Sequence, residues 1–274
     1  MSAQREFQRI TVPDIVRLKG KQKIVCLTAY TAPMAGLLDP IVDLLLVGDS
    51  VGMVVHGLPS TLGVSVEMMI MHGQAVMRGS ARALVVVDLP FGSYERSAEQ
   101  AYDTAVRIMQ ETGCQAVKLE SNPGCASTIE FLTGRGIPVM GHVGLTPQSF
   151  NLDGGFKTKG RSTAERTHIV KDADEMAKAG AFAVVVEGVF EDVADEVTRT
   201  LSIPTIGIGA SSSCDGQILV VDDMLGLFEK VPKFVRRYGA MRGHIEAAVK
   251  RYSQDVRTCT FPSTAECYQL QSKA

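Results

Sequence analysis

The chain has 274 residues, 45% hydrophobic and 21% charged, with a formal net charge of −2. That balance describes a soluble globular protein with ample core, and without a basic field it gives nucleic acid or an anionic membrane surface nothing to hold. No apolar run reaches the ~20 residues that span a bilayer. The first ten residues contain no apolar signal core, so cytoplasm is the expected location. Six cysteines at positions 26, 114, 125, 214, 259 and 267 make no C-x-x-C pair, and Cys26 and Cys114 read as buried thiols. Met68, Met69, Met71 and Met77 fall on one predicted helix, a pattern of core or subunit interface.

In chain order, residues 11–20 form a short helix with Thr11 as cap and Pro13 in its first turn. A first apolar strand covers 23–29, followed by a helix over 30–38 that stops before Pro40. The second strand, 42–47, drops into Gly48, Asp49, Ser50 and Gly52, and a helix over 65–78 follows. The third strand, 83–90, carries Asp88 at its end. Residues 97–112 place Ala98, Ala101, Tyr102, Ala105, Ile108 and Met109 at helical spacing, ended by Gly113. The fourth strand, 116–120, ends on Glu120 with Lys118 two residues earlier, and a helix over 126–134 follows. The fifth strand, 137–143, carries His142, and 144–162 is the longest loop, a length that usually marks a functional segment. A helix over 163–179, a sixth strand over 181–188 containing Glu187, and a helix over 190–201 come next. Strands over 203–209 and 217–221 and a helix over 240–252 complete the periodic part. The tail from Thr258 has no periodicity.

Eight short apolar strands alternating with helices predict an α/β fold, a single (β/α)8 TIM barrel, in preference to a doubly wound open sheet. No dinucleotide fingerprint follows the first strand. The expected organisation is one barrel domain over 1–257, including the N-terminal helix, with an irregular tail over 258–274.

Barrel active sites lie at the carboxyl ends of the strands. Here strands two, three, four and six end on Asp49, Asp88, Glu120 and Glu187, with Lys118 and His142 beside them. Each acid alone reads as a loop cap or a structural ion pair; repeated at four strand ends, they read as a site. Carboxylates on one rim repel unless a cation is present. Oxygen donors without clustered Cys or His point to Mg2+. Such a cation chelated by a 2-oxo acid polarises its carbonyl and stabilises an enolate. Glu187, after Val184, Val185 and Val186, is the expected general base, with a pKa raised by that apolar setting, and Lys118 a partner for the substrate carboxylate or enolate oxygen.

The segments 46–55, 88–94, 116–120, 141–148, 155–161, 203–210 and 214–217 are similar to the ketopantoate hydroxymethyltransferase family, and the resemblance spans about 8–262. It implies a barrel of the phosphoenolpyruvate/pyruvate superfamily type and a Mg2+-dependent homo-oligomer, in this family typically a decamer. The implied reaction moves a hydroxymethyl group from 5,10-methylenetetrahydrofolate to 3-methyl-2-oxobutanoate, giving 2-dehydropantoate for pantothenate and coenzyme A synthesis. By the same resemblance Asp49, Asp88 and Glu120 hold the metal. Asp49, Ser50, Asp88, Lys118 and His142 bind the oxo acid, and Glu187 takes its proton.

The chain departs from the family pattern at Ser121-Asn122, at Gly188-Val189-Phe190, at Ser211-Ser212-Ser213 and at Asp222. Two other classes compete. One is a metal-dependent 2-oxo-acid lyase or aldolase, for which Cys125 is the candidate loop thiol; the other is a non-catalytic oligomeric barrel.

Overall fold

The computed structural model describes residues 9–269. Its eight strands are β1 (Ile24–Thr28), β2 (Leu44–Val47), β3 (Leu84–Asp88), β4 (Ala116–Lys118), β5 (Val139–Gly144), β6 (Ala183–Glu187), β7 (Thr205–Ile208) and β8 (Gly216–Leu219). Each pairs in parallel with its neighbour in chain order, and β8 pairs back onto β1 to close the barrel. That last pairing, Ile24 opposite Gly216 through Leu27 opposite Leu219, decides for the barrel over an open sheet. Every strand matches an expected one to within a few residues. Most have trimmed ends, because hydrogen-bonded pairing stops before the apolar run does. β5 instead runs on to Gly144, and β8 starts at Gly216 and stops at Leu219, Val221 opening a short helix.

Among the described residues, nine α-helices precede or connect the strands up to β7. They are α1 (Val12–Arg17), α2 (Ala32–Leu38), α3 (Val51–Val54), α4 (Val66–Gly79), α5 (Ala98–Thr112), α6 (Cys125–Thr133), α7 (Phe150–Asp153), α8 (Thr163–Lys178) and α9 (Glu191–Thr200). All but the short α7 bury part of their surface. Their ends follow local chemistry. Thr11 with Asp14 and Ser162 with Glu165 form capping boxes at α1 and α8. Gly113, left-handed at φ 78°, closes α5. Three short α-helices were not legible in the sequence: α3, immediately after Ser50; α7, which with a 3₁₀ turn over Pro147–Ser149 orders part of the expected long loop; and one over Val221–Leu225. Four or five residues carry too little periodicity to be recognised as helical.

The barrel interior is built by alternate residues. Ile24 and Cys26, Leu44 and Leu46, Leu84 and Val86, Ala183 and Val185 all belong to one buried cluster with Ala116, Met140, Ile206, Ile208 and Ile218. Ile15 of α1 is fully buried in this cluster, so α1 plugs the end of the barrel where the strands begin. Continuing the same period of two toward the other end gives Asp88 after Leu84 and Val86, and Lys118 and Glu120 after Ala116. It gives His142 after Met140, and Glu187 after Ala183 and Val185. Apolar inward positions therefore give way to charged ones at one rim.

By its contacts the chain divides into two compact units, Met1–Val221 and Asp222–Ala274. The second contains most of α10 (Val221–Leu225) and α11 (Met241–Arg257). Within it Tyr238 N donates to Met224 O at 2.8 Å, and the Tyr252 and Phe261 rings meet edge to face. Met241, Ile245, Val249, Tyr252 and Val256 recur at helical spacing along α11 and are all exposed.

Candidate active site

The acids at the rim are buried: Asp49 is 4% exposed, Asp88 2% and Glu120 2%. β2 ends at Val47, and the inward position after Leu46 falls to Gly48. A Cβ there would come within 2.8 Å of Ser50 Oγ and 3.6 Å of Asp88 Oδ2, so glycine leaves the space that the polar groups use. The backbone N–H of Asp49 then donates to Asp88 Oδ2 at 3.0 Å. Ser50 Oγ shares a hydrogen bond of 2.7 Å with Tyr30 Oη, which follows β1.

From Asp88 a chain of contacts crosses the mouth. Lys118, opposite Asp88 in the β3–β4 register, places Nζ 2.9 Å from Asp88 Oδ1. The same Nζ lies 3.5 Å from His142 Nδ1. His142 Nδ1 is 3.7 Å from Glu120 Oε1, and its Nε2 is 3.2 Å from Glu187 Oε2 without hydrogen-bond alignment. Glu187 is the outermost of these groups, its side chain 18% exposed against 2% for His142. Gly144, at φ 96°, lets β5 run against Glu187; a Cβ there would meet Glu187 O at 2.3 Å.

The electrostatics follow from burying three carboxylates around one ammonium, with Glu187 half-buried beyond them. Burial first, then the neighbouring Asp88 charge, pushes the Asp49 carboxyl up to about 7. Burial and the Asp49 charge push Glu120 well above the usual glutamate range. Burial opposes the Lys118 ammonium, yet Asp88, Glu120 and Asp49 together hold its pKa above the ordinary lysine value. His142 is lowered by burial and by Lys118. A neutral imidazole with Nδ1 facing an ammonium carries its proton on Nε2, toward Glu187.

All the residues expected at the site, Asp49, Ser50, Asp88, Lys118, Glu120, His142 and Glu187, lie on this rim or its first turn. Two that sequence reasoning missed lie among them. Gln148, in the 3₁₀ turn after β5, donates from Nε2 to Asp49 Oδ2 at 2.8 Å and from its backbone N–H to Glu120 Oε2 at 3.0 Å. Tyr94 Oη donates to Gln148 Oε1 at 2.6 Å. Both close motif segments noted above, but neither carries a charge to single it out. Two of the departures from the family pattern bond to neighbouring helices: Ser121 Oγ donates to Asp172 of α8, and Ser211 Oγ to Asp195 of α9. His56, near Asp49 in sequence, pairs with His72 of α4 at 2.8 Å.

The donor set suits a hard cation. Glu120 Oε1 is buried without a hydrogen-bond partner, and Asp49 and Glu120 are each held by one oxygen only in the contacts above. Among the described residues no three Asp, Glu, His or Cys side chains are gathered closely enough to hold a metal ion by themselves. An open set of one or two carboxylates, completed by water and substrate, is the pattern Mg2+ favours.

Two groups of proteins resemble this chain. By fold, the chain resembles phosphonopyruvate hydrolase, solved in complex with oxalate and Mg++ (TM-score 0.59, 12% identity, covering 95% of this chain and 92% of that one). It likewise resembles 2,3-dimethylmalate lyase, a PEP mutase/isocitrate lyase superfamily member (TM-score 0.59, 14% identity, 95% and 92% covered). The architecture shared with them is the (β/α)8 barrel. In sequence, the ketopantoate hydroxymethyltransferase family model matches residues 9–264. The 3-methyl-2-oxobutanoate hydroxymethyltransferase of Phenylobacterium zucineum is 64% identical, with 98% of each chain covered. That of Bartonella henselae is 61% identical over the full length of both. The chain belongs to the ketopantoate hydroxymethyltransferase family, a family of transferases.

Proposed function

We propose that this chain transfers a hydroxymethyl group from 5,10-methylenetetrahydrofolate to 3-methyl-2-oxobutanoate, giving 2-dehydropantoate. Asp49, Asp88 and Glu120 are the residues to hold Mg2+, Glu120 through its unpartnered Oε1. When bound there, Mg2+ supplies Lewis-acid polarisation of the substrate's keto oxygen.

The chain's own groups divide the remaining work. Ser50 Oγ and Lys118 Nζ, on two sides of Asp88, orient the oxo acid. Lys118, held charged by three carboxylates, offsets the negative charge that develops on the keto oxygen as the C3–H bond breaks. Glu187 accepts that proton. Its contact with His142 Nε2 keeps the carboxylate aimed at the mouth. The donor's methylene carbon is released from both of its nitrogens: one C–N bond gives way to a C–O bond with water and the other to the bond with C3. The C3 proton and one proton of the water end on the two nitrogens of tetrahydrofolate. The proposal rests on the placement of Glu187: it is the reachable carboxylate of a site whose other acids are buried.

The test is solvent deuterium exchange at C3 of 3-methyl-2-oxobutanoate. Glu187→Gln is expected to abolish exchange while Mg2+-dependent binding of the oxo acid persists. Exchange at the wild-type rate would remove Glu187 from the base role.

The lyase or aldolase reading loses its nucleophile. Cys125 is 5% exposed at the start of α6, and burial pushes its thiol up to about 12, where the reactive thiolate is scarce. Homo-oligomerisation in a reducing cytoplasm belongs to the same proposal. The exposed apolar stripe of α11 supports the first, and six free cysteines the second. Among the described residues no helix is long and apolar enough to cross a membrane.

A further inference from the structure

Gln148 joins two site carboxylates that the barrel itself keeps apart. Asp49 follows β2 and Glu120 follows β4, whereas Gln148 arrives from beyond β5 and is 7% exposed. Its Nε2 reaches Asp49 Oδ2 at 2.8 Å and Leu89 O at 3.0 Å, and its backbone N–H reaches Glu120 Oε2 at 3.0 Å. The amide has only one usable orientation. Tyr94 Oη, 3% exposed as a residue, accepts from the Glu120 backbone N–H at 3.2 Å and therefore turns its own proton to Gln148 Oε1, at 2.6 Å. Donors thus run in one direction, from Glu120 N–H to Tyr94, from Tyr94 to Gln148, and from Gln148 to Asp49.

We propose that Gln148, oriented by Tyr94, is a positioning residue that fixes which oxygens of Asp49 and Glu120 are presented to the cation. Both carboxylates are tied by a single oxygen, Oδ2 in Asp49 and Oε2 in Glu120, and Glu120 Oε1 is left without a hydrogen-bond partner. A rotated carboxylate would either lose its tie or withdraw the oxygen needed for binding. The neutral amide suits the place: it donates to a carboxylate without adding a charge that would compete with the cation. A lysine at 148 would fill the same space with a permanent counter-ion. Hydrogen-bond partners of ligating carboxylates typically carry ~10–100-fold in metal affinity.

The inference rests on the cation reading of the site, and the experiment separates the two. Mn2+ binding to the substrate-free protein is titrated by electron paramagnetic resonance of the free ion, alongside the Mg2+ dependence of kcat. Gln148→Met keeps the side-chain length and removes the amide. It is expected to raise the Mn2+ dissociation constant ~10–100-fold, with kcat at saturating Mg2+ falling by a smaller factor. Tyr94→Phe removes one hydroxyl and is expected to raise it ~2–10-fold. In an Asp49→Asn background the effect of Gln148→Met is expected to shrink, since the partner through which it acts is altered. Wild-type Mn2+ affinity in folded Gln148→Met overturns the positioning role and leaves the proposed function standing. If Gln148→Met does not fold, unchanged affinity in Tyr94→Phe overturns it equally. Failure of the wild-type protein to bind Mn2+ would instead overturn the cation site itself.

Discussion

Asp49→Asn should make the metal-free protein more stable at pH 8 while abolishing its activity. Asp49 is 4% exposed, and burial with the Asp88 charge lifts its carboxyl from 3.8 to about 7. A carboxyl whose folded pKa lies above its unfolded one binds its proton more tightly when folded. The penalty is therefore absent below about 4, grows as pH rises, and is complete above about 7. At about 1.4 kcal/mol for each tenfold change in acidity, it is on the order of a few kcal/mol at pH 8. Asparagine removes the charge and keeps an oxygen to accept from Gln148. Lys118 keeps its ion pair with Asp88 at 2.9 Å, so no buried ammonium is stranded. At roughly 2–4 °C per kcal/mol, the variant should melt several degrees above wild type at pH 8 in EDTA, and the two should converge near pH 4. Mg2+ should close the gap at pH 8 by stabilising wild type only, and its effect on wild type should fade as pH falls and Asp49 binds its proton. The assay is calorimetry or dye-monitored melting across pH, with and without Mg2+. Equal or lower stability of Asp49→Asn at pH 8 in EDTA would refute the claim that Asp49 is held as a frustrated carboxylate.

Three further outcomes are expected. Asp88→Asn should weaken Mg2+ binding and activity together, since the same side chain also anchors Asp49 N–H and Lys118; an unchanged metal titration would return Asp88 to a structural role. Gly48→Ala should raise the KM for the oxo acid more than it lowers Mn2+ affinity, because its Cβ would meet Ser50 Oγ at 2.8 Å but Asp88 Oδ2 only at 3.6 Å. Equal losses in both would show that the loop moves as a whole. Ile15→Ala should cost about 2–5 kcal/mol in denaturant unfolding by opening a cavity at the barrel's closed end, far from the chemistry, with kcat little changed. A stability change below about 1 kcal/mol would mean that α1 is not a plug.

The strands and most of the helices were legible because their signals are local. Apolar runs bounded by glycine, and Thr11 before helical spacing, act within a few residues of where they stand, as do the Ser65, Ser97 and Ser162 caps that the structure adds. The charged residues of the site were legible for a related reason. On a strand, side chains alternate faces, so Leu84, Val86 and Asp88, or Ala116 and Lys118, must share the barrel interior once the barrel is assumed. What sequence alone determined was therefore an alternating α/β chain with a charged rim. Closure of β8 onto β1 was settled only in three dimensions, since strand count does not distinguish a ring from an open sheet.

Asp49 marks the limit most clearly. Two residues beyond the end of β2 and out of phase with Leu44 and Leu46, it takes its place from Gly48, from its own N–H on Asp88, and from Gln148 at 2.8 Å. Those partners lie 39 and 99 residues away along the chain. Neutral groups such as Gln148 and Tyr94 acquire a role only when the fold brings buried carboxylates within hydrogen-bond distance of them. The sequence determined which acids reach the rim; the tertiary structure decided which of their oxygens are tied and which face the site.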